Sequence, residues 1–262
     1  MKKIKPVVKW KGSKQRLLDQ IVSHLPDQIK IYIDPFFGSG AMRGYLSDVH
    51  SYCSDSNVEL MNTYRQIRDN LLSLWAKLEE HRQKHSEEYY YQVRSLQLQD
   101  FDTISRAARF LYLNQTCFNG VWRVNQAGQN NVPKGDNNNP KWDYNHLEQW
   151  SQMIRRDTLW SCSVFDLAFE KLPKGSFVYF DPPYFGTSGY EKEFTWENHI
   201  RLGQLFAKLS DQGVNCMLSN SDTEHTRALF ASYNLRTIYR NGTISVGTRT
   251  KQSEILVTNY DI

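Results

Sequence analysis

The segment Phe177-Val178-Tyr179-Phe180-Asp181-Pro182-Pro183-Tyr184 constrains this chain more than any other. An unbroken run of aromatic and β-branched residues suits a strand buried on both faces, as in a parallel sheet. Two consecutive prolines directly after it end the hydrogen-bond ladder and stiffen the next turn. Asp181 and Tyr184 are then held in fixed orientation at the carboxyl edge of a sheet. Further short apolar runs fit neighbouring strands: Ile31-Tyr32-Ile33, Ser51-Tyr52-Cys53 and Val214-Asn215-Cys216-Met217-Leu218, with Glu254-Ile255-Leu256-Val257-Thr258 as a last strand. Helical spacings such as Leu202, Leu205, Phe206 and Leu209 lie between them. Strands alternating with helices predict an α/β layered fold.

The middle of the chain breaks that rhythm. Leu60, Tyr64, Ile67, Leu71, Leu74, Trp75 and Leu78 keep a helical spacing, and Ala107-Ala108-Arg109-Phe110-Leu111-Tyr112-Leu113 reads as another helix. Residues 57–157 are therefore expected to form a mainly helical insertion between the second and third strands, far longer than a connection requires. In a chain of 262 residues, 40% hydrophobic and 23% charged, there is room for one such domain and its insertion.

Three anchors carry chemistry. In Asp34-Pro35-Phe36-Phe37-Gly38-Ser39-Gly40-Ala41 a strand runs into a glycine turn where Gly38 and Gly40 let a ligand approach the backbone. The third glycine of a dinucleotide fingerprint is missing, since Arg43 stands in its place and Gly44 comes one residue late. A cofactor without phosphates fits better. Asp55, immediately after the second strand, is placed either to accept from two ribose hydroxyls or to cap the next helix. At the third anchor, Asp181 and the Pro182 carbonyl can accept both N–H bonds of an exocyclic amine while Tyr184 stacks on the base. Engaging those hydrogens turns the nitrogen lone pair toward an electrophile.

Other signals exclude or narrow. Cys53, Cys117, Cys162 and Cys216 form no CxxC and read as buried free thiols of a reducing cytoplasm. No apolar run approaches a membrane span, and the N-terminus lacks a signal-peptide core. His81 and His85 share a helical face but sit in a charged, solvated stretch without HExxH, so no metal is expected. Net charge is only +4, yet Lys2, Lys3, Lys5, Lys9, Lys11, Lys14 and Arg16 form one acid-free stretch. Arg227, Arg236, Arg240, Arg249 and Lys251 belong to a second, and both are expected to face phosphates.

With these motifs the sequence resembles the Dam-type (class alpha, D12) DNA adenine-N6 methyltransferase family over nearly its whole length. Lys9-Trp10-Lys11-Gly12-Ser13-Lys14 is similar to the family's N-terminal signature, departing at Ser13, and 34–41 and 181–184 to its cofactor loop and catalytic motif. Phe118-Asn119-Gly120-Val121-Trp122-Arg123-Val124-Asn125, Asn131-Val132-Pro133, Leu218-Ser219-Asn220 and Glu254-Ile255-Leu256 also match. Gly135-Asp136-Asn137 stands where the family usually has Gly-Arg-Tyr, and the loop Phe185-Gly186-Thr187-Ser188-Gly189-Tyr190 is short.

The resemblance implies a Rossmann-like S-adenosylmethionine-dependent methyltransferase sheet, with 1–56 and 158–262 as catalytic domain and 57–157 as an inserted helical DNA-recognition subdomain. It implies transfer of a methyl group to a flipped adenine of duplex DNA at a GATC-like site, leaving S-adenosylhomocysteine. Asp181, Pro182 and Tyr184 would be catalytic. Trp10, Lys14, Asp34, Phe36, Gly38, Gly40, Asp55 and Asp181 would bind cofactor, and Lys9, Phe118, Asn119, Val121, Arg123 and Pro133 would bind DNA. Arginine or lysine suits guanine, and valine or proline suits a thymine methyl. The expected setting is a monomer in the cytoplasm of a bacterium or archaeon, or phage-encoded, with any cognate restriction endonuclease acting separately. The rivals are an RNA exocyclic-amine methyltransferase and a non-catalytic protein that binds S-adenosylmethionine and DNA.

Overall fold

The computed structural model of the chain describes residues 3–97, 99, 101–169, 172–185, 194–240 and 252–261, without the side chains of Arg240 and Gln252. In chain order the elements are α1 (Leu18–Val22), β1 (Ile31–Asp34), α2 (Ala41–Tyr45), β2 (His50–Asp55), α3 (Val58–Asp69), α4 (Leu71–Lys84), α5 (Glu87–Ser95), α6 (Thr103–Thr116), α7 (Tyr144–Met153), β3 (Thr158–Ser161), β4 (Ser176–Phe180), α8 (Trp196–Asp211), β5 (Asn215–Ser221), α9 (Glu224–Leu229), β6 (Asn234–Arg240) and β7 (Gln252–Thr258).

The strands form one sheet in the order β3-β2-β1-β4-β5-β7-β6. β1 runs parallel to β2 and β4, and β4 parallel to β5. β7 is antiparallel to both β5 and β6. This is the expected α/β, Rossmann-like architecture. Strand order reverses between β1 and β4, and in open parallel sheets ligands bind at the carboxyl ends beside that reversal. β1 ends at Asp34, and β4, buried at every residue, delivers Asp181. All five expected strands are present. β3 and β6 were not foreseen.

Contacts cluster into two compact units. The first comprises residues 1–13, 38–48 and 54–163. Its helices bury Leu60, Tyr64, Ile67, Leu74 and Leu78, five of the seven residues whose spacing predicts a helix, while Leu71 and Trp75 are half-buried. That helix is broken in two at Asn70, whose side chain donates to Gln66 Oε1 (2.8 Å) while its carbonyl accepts from Leu74. A side chain that competes locally for hydrogen bonds favours such a boundary over a helix interior. A buried ion pair closes this unit: Arg43 donates through Nε to Asp157 (2.7 Å) and through Nη1 and Nη2 to the Leu46 and Met153 carbonyls.

His81 and His85 are half-buried rather than solvated. His81 stacks on Tyr112 at 4.8 Å and bonds Tyr89 Oη, and His85 bonds Tyr112 Oη. Burial lowers His81 to a pKa of about 4. The charged neighbours in sequence hid an aromatic seat that only the fold supplies. Among the described residues no cluster of three or more His, Cys, Asp or Glu is arranged to hold a metal ion.

The second unit comprises 14–37, 49–53 and 164–262. Leu202, Phe206 and Leu209 of α8 pack on Val178, Phe180, Cys216 and Leu218 of β4 and β5. Cys53, Cys117 and Cys216 are buried and reduced, as expected, but Cys162 is only half-buried. Arg227, expected to face phosphates, is paired with Asp222 (2.5 Å), its side chain 42% exposed. Lys2, Arg249, Lys251, the Arg240 side chain and the loop 186–190 lie outside the described residues. No helix among the described residues is long and apolar enough to cross a membrane.

Candidate active site and nucleic-acid interface

In the second unit, β4 hands the chain to the turn Asp181-Pro182-Pro183-Tyr184. Lys14, only 5% exposed, places Nζ 2.7 Å from Asp181 Oδ1. Ser219 on β5 donates its hydroxyl to the same oxygen (2.8 Å) and contacts Tyr179 Oη (2.9 Å). Both bonds converge on Oδ1, and among the described residues no donor reaches Oδ2. Burial raises the Asp181 carboxyl above the ordinary aspartate range, with Lys14 and Ser219 pulling it back and Glu254 adding to the rise. Lys14 Nζ also stands 4.5 Å from the centroid of the Tyr184 ring. Tyr184 donates its hydroxyl to Glu254 of β7 (2.6 Å), and burial pushes that phenol well above its usual pKa.

Asp34 and Phe36 belong to the same unit. Asp34 is buried and accepts from Tyr32 Oη (2.7 Å) and from the Phe36 amide (3.3 Å), bracing the loop from beneath. Phe36 stands edge-on to Phe194 at 5.7 Å, and Phe194 stacks on Phe165 at 6.2 Å.

The remaining expected residues lie in the first unit. Gly38 and Gly40 have φ of 49° and 68°, a region that side chains with a Cβ enter at a cost. The Gly38 amide donates to Asp55 Oδ2 (2.9 Å), and the Asn57 amide donates to Asp55 Oδ1 (2.9 Å). The cap of α3 is Asn57, whose Oδ1 accepts from Leu60, so Asp55 does not cap the helix. Asp55 instead fastens the glycine turn. Burial raises its carboxyl pKa, opposed by those two amide bonds. Trp10 is half-buried against Phe110, with ring centroids 6.4 Å apart.

The DNA-contact candidates gather around one clamp. Asn114 of α6 accepts from the Lys9 amide (2.9 Å) and donates to the Lys9 and Gly120 carbonyls. A Cβ on Gly120 would fall 2.3 Å from Lys9 Cδ, so glycine is what lets the Lys9 stem pass. The Phe118 amide donates to the Pro133 carbonyl (2.9 Å), fixing a ring that is 52% exposed. Asn119 holds a positive φ of 54°, which asparagine tolerates better than most residues. Arg123 is exposed and donates from Nε to Asn131 Oδ1 (2.7 Å). Val121 is half-buried, and Lys9, Asn119 and Pro133 are exposed.

The structure thus brings Lys14, Asp181 and Tyr184 into one cluster, Gly38 and Asp55 into another, and Lys9, Phe118 and Pro133 into a third. Ser219 and Glu254 are the residues whose roles the sequence did not assign. Both stand in segments already noted, Leu218-Ser219-Asn220 and Glu254-Ile255-Leu256, and a polar residue inside an apolar strand was the available signal.

A model of the D12 class N6 adenine-specific DNA methyltransferase family matches residues 10–244. The chain is 35% identical to the Type II methyltransferase M1.LlaDCHI of Lactococcus lactis subsp. cremoris, across 98% of this chain and 96% of that protein. It is 33% identical to the Type II methyltransferase M.MjaIII of Methanocaldococcus jannaschii, across 98% and 99%. With the DNA adenine methylase of Escherichia coli (strain K12) it shares 28% identity across 98% and 95%.

Proposed function

The chain belongs to the D12 class N6 adenine-specific DNA methyltransferases, and from that premise we propose that it moves the methyl group of S-adenosylmethionine onto N6 of an adenine turned out of duplex DNA at a GATC-like site. The observation that carries this reading is the Asp181 carboxylate, whose Oδ2 no donor reaches among the described residues. Lys14 and Ser219 occupy Oδ1, which leaves Oδ2 to accept one N–H of the amine. The Pro182 carbonyl, held by two successive prolines, accepts the other. With both hydrogens engaged, the N6 lone pair is directed at the methyl carbon. Tyr184 stacks on the base. The adenine must leave the helix because its N6 is paired there and out of reach. Positioning and electrostatics then lower the barrier.

Membership in the family implies S-adenosylmethionine as donor, and the sulfonium, already a strong electrophile, calls on no metal. The donor set fits that cofactor. Each Asp55 oxygen takes one amide and keeps a lone pair, so the carboxylate can accept ribose hydroxyls as well. Phe36, with Phe194 and Phe165 behind it, offers an apolar aromatic surface to a purine. Trp10, Lys14, Asp34, Gly38 and Gly40 complete the assignment. Residues 57–157 then serve DNA recognition, with Lys9, Val121, Arg123 and Pro133 at base edges, Phe118 wedged into the stack and Asn119 facing the orphaned thymine. The relatives named as Type II methyltransferases make a separately acting endonuclease the partner to look for, the methyltransferase itself working as a monomer.

Radiolabelled methyl transfer to duplex DNA and to RNA tests the substrate class. Methylation-sensitive sequencing of DNA from cells expressing the protein then reads the product base and the site together. Labelled RNA and unlabelled DNA would overturn the proposal, as would cofactor binding without transfer to either.

A further inference from the structure

His199 lies on the first turn of α8, 1% exposed, in a region that the catalytic assignment does not use. Phe194, Trp196 and Phe185 surround its ring, with centroids 4.8, 5.8 and 5.9 Å away. Nδ1 faces the Asn220 amide nitrogen at 3.3 Å, while among the described residues Nε2 has no hydrogen-bond partner.

The orientation of Asn220 follows from its other neighbours. The amides of Phe185 (3.4 Å) and Ser221 (2.8 Å) both donate to Asn220 Oδ1. Backbone N–H groups can only donate, so the oxygen must face them and the NH2 must face His199. His199 Nδ1 is therefore the acceptor, and the ring is neutral with its hydrogen on Nε2. Burial, which lowers this histidine to a pKa of about 4, keeps it so at neutral pH. Ser221 adds a second grip, donating its hydroxyl to the Phe185 carbonyl (2.9 Å). Phe185 is thus held at both its N–H and its C=O, directly after Tyr184.

We propose that His199 is a positioning residue for methyl transfer, orienting Asn220 so that the Asn220–Ser221 pair fixes the backbone at Phe185 and with it the attitude of the Tyr184 ring. This rests on the stacking role proposed for Tyr184. An apolar residue at 199 leaves the Asn220 NH2 buried without an acceptor and frees the amide to turn. Glutamine offers an acceptor oxygen in its place.

The test is the single-turnover rate of transfer to duplex DNA, with cofactor saturating, for wild type, His199→Leu, His199→Gln and Tyr184→Ala. A displacement of about 1 Å at a reacting group can cost on the order of 100-fold, so His199→Leu should slow the transfer step about tenfold or more. Its affinity for S-adenosylmethionine should stay within about threefold of wild type. His199→Gln should return the rate to within about threefold of wild type. A glutamine variant as slow as the leucine variant, or a leucine variant as fast as wild type, overturns the proposal. If His199→Leu does not fold, the glutamine variant decides alone: a loss of about tenfold or more counts against the relay. Tyr184→Ala separates the two levels, because an undiminished rate there removes the stacking role itself.

Discussion

Lys14 Nζ lies 2.7 Å from Asp181 Oδ1 and 4.5 Å from the centroid of the Tyr184 ring, so one buried ammonium contacts both side chains of the turn proposed to be catalytic. A charge-assisted bond of this length fixes the carboxylate, and a cation over the ring adds attraction to its face. The sequence marks Lys14 as a cofactor residue and as part of a phosphate-facing basic stretch, and its burial against Asp181 takes it out of that stretch. Its pairing with Asp181 changes what each substitution should do.

Asp181→Ala would take the carboxylate away from a nearly inaccessible Lys14 ammonium, so lost activity in that variant would be mixed with lost stability. Asp181→Asn separates them. Its oxygen can replace Oδ1 toward Lys14 and Ser219, which turns an NH2 toward the substrate amine, donor against donor. Transfer should fall by about 100-fold or more while the melting temperature stays near wild type. Near-normal turnover in Asp181→Asn would remove the assignment.

The same pairing sets a pH dependence. The carboxyl of Asp181 must be ionised for Oδ2 to accept, and burial raises its pKa above the ordinary 3.8. Activity is therefore present above that raised value and lost as pH falls through it, at a higher pH than an ordinary aspartate would give. For folding the sign is reversed from that of a salt-bridged surface aspartate: the native state holds this proton more tightly than the unfolded chain, so the contribution of the group to stability declines as pH rises. Lys14 is the largest influence lowering the pKa. In Lys14→Met, saturated with cofactor and DNA, the acid limb of the pH–rate profile should move upward. An unmoved limb would show that another group titrates.

Asp55→Ala should weaken S-adenosylmethionine binding by about 2–4 kcal/mol if two charge-assisted ribose bonds are lost. It should also lower the melting temperature, because the Gly38 and Asn57 amides lose their acceptor. Calorimetric titration distinguishes the contributions. Unchanged affinity beside lowered stability would mean that the carboxylate serves the glycine turn alone.

Arg43 and Asp157, each 1% exposed, join α2 to the chain beyond α7. Removing one member of such a buried pair strands the other, at a cost of about 3–5 kcal/mol. Asp157→Ala should lose that much in urea unfolding. A change below about 1 kcal/mol would mean that water or the Leu46 and Met153 carbonyls satisfy Arg43 unaided.

How far the sequence could be read depended on whether a residue's partners were near it in the chain. β4 and its turn were legible because complete burial leaves an unbroken apolar run and the prolines mark its end. β3 and β6 were not, since both are edge strands, and Asn234-Leu235-Arg236-Thr237-Ile238-Tyr239-Arg240 mixes polar and apolar residues as a strand exposed on one side does. Ser219 and Glu254 act on Asp181 and Tyr184, residues 38 and 70 positions away. No local pattern encodes such a partner. The helix break at Asn70 was hidden for the opposite reason, because the apolar spacing continues through it while a side-chain bond decides.

The last prediction concerns sequence reading. Arg123 is exposed in a segment pinned by the Phe118–Pro133 backbone bond. Its Nε is tied to Asn131 Oδ1 at 2.7 Å, and Nη2 reaches the Asn131 carbonyl at 3.4 Å. A guanidinium has five donors, so this tether spends one edge on orientation and leaves the remainder to point outward. Pre-orientation favours a planar bidentate contact with guanine O6 and N7, which contributes about 1–3 kcal/mol of discrimination. A phosphate contact would instead strengthen binding to every sequence alike and steepen its salt dependence. Arg123→Ala should therefore relax the preference at one base pair and leave non-specific affinity largely intact. Asn131→Ala, which removes the tether but not the cation, should relax the same base pair by less. Methylation rates on singly substituted GATC duplexes measure both effects. If Arg123→Ala slows every duplex by one common factor, Arg123 positions the backbone and reads no base.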